Sequence, residues 1–328
     1  MKKYHIYGVG AALVDTEVSV SDQFLSQNKI EKGVMTLVEQ SRQLELLKAI
    51  ELSGVHQLRK SGGSACNSIV AAAEFGAKTC FGGKVAEDSD GELFIGDLDK
   101  ANVQYCGEKS QTDITGKCLV MVTDDAERTM NTYLGASEQF TQSEIDPTAL
   151  ADSEWFYIEG YLLTDNGRTQ VVKDAVSLAK QQGVKVALSL SDPFVAQIFA
   201  DNLRTIIGDG IDLIFCNKDE ALAFTQSESL EQAGKALGQI ARCYAITDGA
   251  NGAVVFDGQN LFKVPAVKAN AIDTNGAGDM FAGAFIYAIT AGKDYKWAAN
   301  LANKAAAMVV ERFGPRLEQA DFKQLKVN

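Results

Sequence analysis

The chain has 328 residues, a net charge of −12 and a hydrophobic content of 46%. That is ample for a buried core, and the acidic balance argues against a nucleic-acid partner, whose phosphates need clustered Lys and Arg. The six cysteines, at 66, 80, 106, 118, 216 and 243, form no C-x-x-C pair. They argue against a zinc site or a dithiol motif and predict reduced thiols in a cytoplasmic protein. No 18-residue apolar run or signal-peptide core is present, so no membrane partner is expected. His5 and His56 stand beside no Ser or Cys nucleophile motif, which leaves a histidine triad without support.

In chain order, the pattern predicts a strand at 4–9, extended pieces at 13–20 and 33–38, an amphipathic helix at 41–52, and an extended piece at 55–60 before the Gly62-Gly63 turn. An alanine-rich helix follows over 68–76, then a strand at 79–85 and a helix at 90–100. The runs 115–123 and 128–134 predict a hairpin about Asp124-Asp125. From 155 the rhythm is regular, with strands at 155–158, 184–190, 211–216, 243–247, 253–256 and 261–265. Helices are predicted at 166–182, from 193, at 218–224, 230–240, 277–292 and 294–313. Such alternation predicts a largely parallel sheet covered on both faces. The extended segments at about 14–61 and 113–134 break that rhythm, and no linker or repeat marks a domain boundary.

The stretch Asp273-Thr-Asn-Gly-Ala-Gly-Asp279 opens an apolar helix with a bare turn. Backbone N–H groups of Gly276, Ala277 and Gly278 can approach an oxyanion closely, and the helix adds its positive end. Asp279 is placed to accept a proton from a hydroxyl held over the same turn. A tight turn with an acid complementing the helix dipole would use the same residues for structure alone. Other phosphate motifs fail: no Gly-Lys pair has a glycine five positions upstream and a Ser or Thr after the Lys, as a Walker A loop requires. Gly8-Val-Gly10-Ala-Ala-Leu13 has Leu13 in place of the third glycine of a dinucleotide fingerprint, which leaves a Rossmann dehydrogenase a weak alternative.

Ser61-Gly-Gly-Ser-Ala-Cys-Asn67, taken with Asp273 to Asp279, resembles the paired signatures of the ribokinase or phosphofructokinase-B (PfkB) family of carbohydrate and nucleoside kinases. The likeness runs through most of the chain. Leu188-Ser-Leu-Ser-Asp-Pro-Phe194 and Thr115-Gly-Lys-Cys-Leu119 resemble the adenosine kinase branch. The resemblance implies a ribokinase-like α/β fold as one catalytic unit. Its core would span about 1–13, 62–112 and 135–328, with a small β-sheet lid inserted at about 14–61 and 113–134.

The same resemblance implies roles for particular residues. Asp279 would be the catalytic base, Gly276, Ala277 and Gly278 the anion cradle, and Arg128 a lid cation that swings onto the phosphates. Asp15, Gly63 and Asn67 would hold hydroxyls of the acceptor; Tyr161 and Phe194 would flank its base, and Glu159 stands where ribokinases carry a Glu. Asn217 and Glu220 would order the water shell of Mg²⁺, Thr247 and Gly249 would line the triphosphate of ATP, and Asn303 would edge the adenine pocket. The implied activity is transfer of the γ-phosphate of ATP to a primary hydroxyl, the 5′-OH of a nucleoside such as adenosine. A free sugar such as ribose or fructose is the alternative, and a non-catalytic nucleotide or sugar sensor is disfavoured by the intact Asp279 turn. A monovalent cation such as K⁺ and a homodimer stay open.

Overall fold

The computed structural model describes residues 2–327, except the side chains of 326 and 327. Nine strands form the main sheet, in the spatial order Leu261–Val264, Ala253–Phe256, Ala241–Thr247, Ile211–Asn217, Lys185–Ser189, Ser153–Glu159, Tyr4–Val9, Thr79–Gly82, Val103–Tyr105. All neighbours are parallel from Ala241–Thr247 to Val103–Tyr105; the first two strands are antiparallel. Helices cover both faces, so strand residues are buried on either side. Trp155 and Tyr157 enter one apolar core while Phe156 and Ile158 enter the other, the period of two that a pleated strand imposes.

The Ala277–Thr290 helix is apolar almost all round because it is buried between the sheet and its neighbours. Gly283 lets it approach the Ser64–Phe75 helix closely: a β-carbon there would collide with the Ser68 carbonyl and the Ala71 methyl. This crossing brings the N-termini of the two motif helices together. The alanine-rich helix begins at Ser64, four residues earlier than the pattern predicts. Gly63, at φ 94°, turns the chain so that Ser64 to Asn67 form the first helical turn.

A second sheet holds five strands in the order Met35–Leu37, Arg128–Gly135, Thr115–Val122, Leu13–Ser19, Leu58–Gly62. Its outer face packs Val18, Leu119 and Met121 under Leu46 and Ile50 of the Gln40–Ser53 helix. Its inner face is also apolar, with Leu13, Val120, Met130 and Leu134. Asp88 ties this sheet to the core by accepting from the Thr115 N–H at 2.8 Å and its hydroxyl at 2.6 Å.

The expected strand at 79–85 breaks at Gly82 into Thr79–Gly82 and Val85–Ala86. Several short elements escape the periodicity, among them Asp22–Gln27, capped by Ser21, the strand Val103–Tyr105, the Pro147–Ala151 helix and the C-terminal helix Gln319–Val327. Among the described residues, no helix is long and apolar enough to cross a membrane.

Candidate active site

Ser64 and Asp279 meet where the two helices begin. The Ser64 hydroxyl donates to Asp279 Oδ1 at 2.6 Å, and Asn67 Nδ2 donates to Oδ2 at 3.1 Å. Burial pushes the Asp279 carboxyl above the usual range, against the pull of Ser64, Asn67, Arg128 and Arg316. It is therefore a more basic carboxylate than an exposed one. Gly276 sits at φ 73°, and a β-carbon there would stand 2.5 Å from Pro315. Met280 donates the first intrahelical bond, to the Gly276 carbonyl at 2.8 Å; of the N–H groups ahead of it, that of Ala277 makes a long bond back to the Thr274 carbonyl at 3.4 Å. Gly278 faces open space, which a side chain would fill.

Three cavities join at this turn. Asp15, Gly63, Asn67 and Asp279 line one end of the first, and Met35, Leu37, Val120, Met130 and Leu134 line its other wall. The second is lined by Asn217, Glu220, Thr247, Gly249 and the Gly276-Ala277-Gly278 turn. The third is lined by Ala277, Gly278, Phe281, Asn303, Ala306 and Val310. Ser64, Arg128 and Asp279 belong to both the first and the second, and Thr247, Gly249 and Gly278 to both the second and the third. Asp279 thus stands where the first cavity meets the second, beside the Gly276-Ala277-Gly278 turn.

The other anticipated residues take definite places. Asp15 is buried, and burial, then the neighbouring Glu17, pushes its carboxyl well above the usual range. Arg128 donates from Nη1 to Asn275 Oδ1 at 3.1 Å. Asn217 caps the Lys218–Thr225 helix in a reciprocal box: its Oδ1 accepts from the Glu220 N–H at 2.8 Å, and Glu220 accepts from the Asn217 N–H at 3.1 Å and its amide at 2.7 Å. Burial pushes Glu220 up to about 7. Asn303 Nδ2 donates to the carbonyls of Val264 and Pro265 at 3.3 and 3.0 Å. Tyr161 lines the first cavity.

One expectation needs correction. Phe194 does not line the first cavity: it is 60% exposed and meets Phe199 edge-on at 6.4 Å. Asp192 caps the Pro193–Ile198 helix by accepting from the Phe194 N–H, which turns that side chain outward. Glu159 lines the first cavity. Fully buried, it accepts from the N–H groups of Ala11 and Ala65, each at 2.7 Å, and so ties the turn after the first strand to the Ser64–Phe75 helix.

Several residues at the site carry no motif of their own. Arg316 donates from Nε to Asn67 Oδ1 at 3.0 Å, from Nη1 to the Ser61 hydroxyl at 3.0 Å and from Nη2 to the Ser61 carbonyl at 2.6 Å. It thereby fixes the Asn67 amide with its NH₂ toward Asp279. Ser64 was within reach of sequence reasoning, since it lies three residues before Asn67 on one face of a helical turn. Arg316 and Glu17 carried no such signal, and Asn275 lay inside the Asp273 to Asp279 stretch without a role assigned to it.

A mostly parallel sheet covered by helices, with a turn of small residues and a held carboxylate between two cavities, has the arrangement of a ribokinase-like small-molecule kinase. The chain belongs to the pfkB family carbohydrate kinases, matching the family over residues 35–321. A probable sugar kinase from Rhizobium etli superposes with a TM-score of 0.92 at 32% identity, covering 100% of both chains. The adenosine kinase from Sinorhizobium meliloti gives 0.91 at 32% identity, with 99% of each chain covered. The adenosine kinase of Saccharomyces cerevisiae is 26% identical over 330 residues, covering 94% of this chain and 95% of the relative.

Proposed function

We propose that the chain transfers the γ-phosphate of ATP to the 5′-hydroxyl of a nucleoside such as adenosine. The observation that carries this reading is the two-ended first cavity. Asp15 and Asn67 offer polar atoms for a vicinal diol, while Met35, Leu37, Met130 and Leu134 offer an apolar slot for a flat base. A free sugar carries hydroxyls on every side and would leave that slot unfilled.

In this reading the ribose lies over Asp15 and Asn67 with its primary hydroxyl toward Asp279. Asp279 takes the hydroxyl proton as the oxygen forms its bond to the γ-phosphorus, and the bond to the β,γ-bridging oxygen breaks, so that ADP leaves with the electron pair. The N–H groups of the Gly276-Ala277-Gly278 turn and the Arg128 guanidinium hold the equatorial oxygens, where charge spreads in a loose transition state. Thr247 and Gly249 line the triphosphate and Asn303 the adenine of ATP. The second sheet acts as a lid that excludes water, which its apolar inner face supports.

Among the described residues, no cluster of three His, Cys, Asp or Glu is placed to hold a metal by itself. That suits Mg²⁺, which keeps several waters and binds chiefly through phosphates. Asn217 and Glu220 would hold it through water, and it would neutralise phosphate charge when bound.

The test is a coupled assay with ATP and Mg²⁺ and a panel of adenosine, inosine, ribose and fructose. A nucleoside should exceed both sugars by roughly ten- to a hundredfold in kcat/KM, since base stacking contributes about 1–3 kcal/mol. A free sugar is the second reading, favoured by the equal likeness to a probable sugar kinase. It takes over if ribose or fructose outperforms every nucleoside.

A further inference from the structure

Glu17 is a buried acid for which the reaction just described has no use. It lies on the Leu13–Ser19 strand, two residues beyond Asp15, and only 2% of it is exposed. One of its oxygens accepts from Asn275 Nδ2 at 2.8 Å; the other is buried and, among the described residues, has no hydrogen-bond partner. Asn275 is held in turn by its own N–H, which donates to Asp273 Oδ1 at 2.8 Å. Its amide oxygen accepts from Arg128 Nη1 at 3.1 Å.

We propose that Glu17 positions Arg128 over the transferred phosphate through the side-chain amide of Asn275. The inference rests on the phosphotransfer reading above. An ionised carboxylate only accepts and a guanidinium only donates, so a single orientation of the amide satisfies both neighbours: NH₂ toward Glu17, oxygen toward Arg128. Without an acceptor at Glu17 the amide can turn its NH₂ toward Arg128, and donor then faces donor. Glu17 reaches none of the three cavities, yet it controls a side chain that lines two of them. The relay also crosses between bodies of the fold, because Glu17 and Arg128 sit on the second sheet and Asn275 on the turn that carries the anion cradle.

The surroundings tune this contact. Burial pushes the Glu17 carboxyl up to about 7, Asp273 adds to the rise, and the Asn275 bond, Lys60 and Arg316 oppose it. Asp15 and Cys118 are the other titratable groups beside it. A proton on the unpartnered oxygen leaves the bonded oxygen as a neutral acceptor, so the Asn275 bond weakens but the amide keeps its orientation.

The experiment is a double-mutant cycle in the full chain, using the best acceptor of the panel with ATP and Mg²⁺. Glu17→Ala is expected to lower kcat about tenfold with little change in acceptor KM, and to cost almost nothing further in an Arg128→Ala background. Glu17→Gln keeps a carbonyl that accepts from Asn275, so it should restore most of the rate that Glu17→Ala loses. Equal losses from Glu17→Ala in both backgrounds would overturn the proposal, as would a Glu17→Gln enzyme as slow as Glu17→Ala. If Glu17→Ala does not fold, Glu17→Met, which offers no comparable acceptor, is read against Glu17→Gln in the same two backgrounds. A wild-type protein that phosphorylates nothing in the panel sinks the functional reading and this inference with it, whereas an active enzyme with an additive cycle sinks only the inference.

Discussion

Ser64 orients Asp279 across 215 positions of sequence, donating to its Oδ1 at 2.6 Å from the first turn of a different helix. With Asn67 on the other oxygen, the carboxylate is held from the protein side and its remaining lone pairs face the cavities. Under the proposed phosphotransfer, a base fixed in this way would need no reorganisation when the hydroxyl arrives.

Asp279→Asn should keep ATP binding and lose about 10²–10⁴ in kcat, the usual cost of removing a positioned general base. The fold should survive, because the new amide can donate to Ser64 and accept from Asn67. Steady-state kinetics and a melting curve check both halves. A variant that keeps more than about a tenth of the normal rate would show that Asp279 is not the base.

Gly276 and Gly278 should respond differently to the same methyl group. Gly276→Ala forces a β-carbon against Pro315 at a left-handed φ, a strain of about 1–3 kcal/mol before the collision is counted, and should lower the Tm. Gly278→Ala meets no protein atom, so its Tm should stay put while kcat falls, because the methyl occupies the space of the anion. A Gly278→Ala enzyme of normal rate would remove the turn from the chemistry.

The apolar wall, rather than Phe194, should discriminate among acceptors. Met130→Asn is expected to raise the KM for adenosine about tenfold and to leave that for ribose nearly unchanged, since burial of a Met side chain contributes about 1.5–3 kcal/mol. Phe194→Ala should leave both unaltered. A loss of nucleoside preference in Phe194→Ala would place that ring at the base after all.

Glu159 should make the fold less stable as the pH rises. Burial pushes its carboxyl up to about 7, against the Ala11 and Ala65 bonds, from an unfolded value of 4.5. The native state therefore holds the proton more tightly. The stability this contributes is full below the unfolded value and is lost as pH rises through about 7, at up to roughly 1.4 kcal/mol per pH unit. Glu159→Gln should flatten the curve between pH 5 and 8 without levelling it, because Glu17 and Glu220 are raised in the same way. Urea titrations at both pH values measure the difference. An unchanged slope would mean that Glu159 ionises like an exposed acid.

The parallel sheet was legible in the sequence because a buried strand and an amphipathic helix leave different periods, and Gly276 to Asp279 because a bare turn ahead of an apolar helix has few uses. Arg316 was illegible for the opposite reason. Its partners Ser61 and Asn67 are some 250 residues away, with separations of 255 and 249, and nothing local marks an arginine as destined for them. Phe194 shows a different failure. Residue type suggested a contact with substrate, but the side chain sits on the outer side of a capped helix turn and is 60% exposed.

Pro315 behind Gly276 has a consequence for the order of assembly. The strands of the main sheet up to Leu261–Val264 precede it in the chain and can pair before it is made, but the turn at 273–279 rests against residues that follow the Tyr295–Val310 helix. In synthesis order that support comes last, because Pro315 follows the Tyr295–Val310 helix. A nascent chain can thus hold a paired sheet while the turn at 273–279 still lacks its backing.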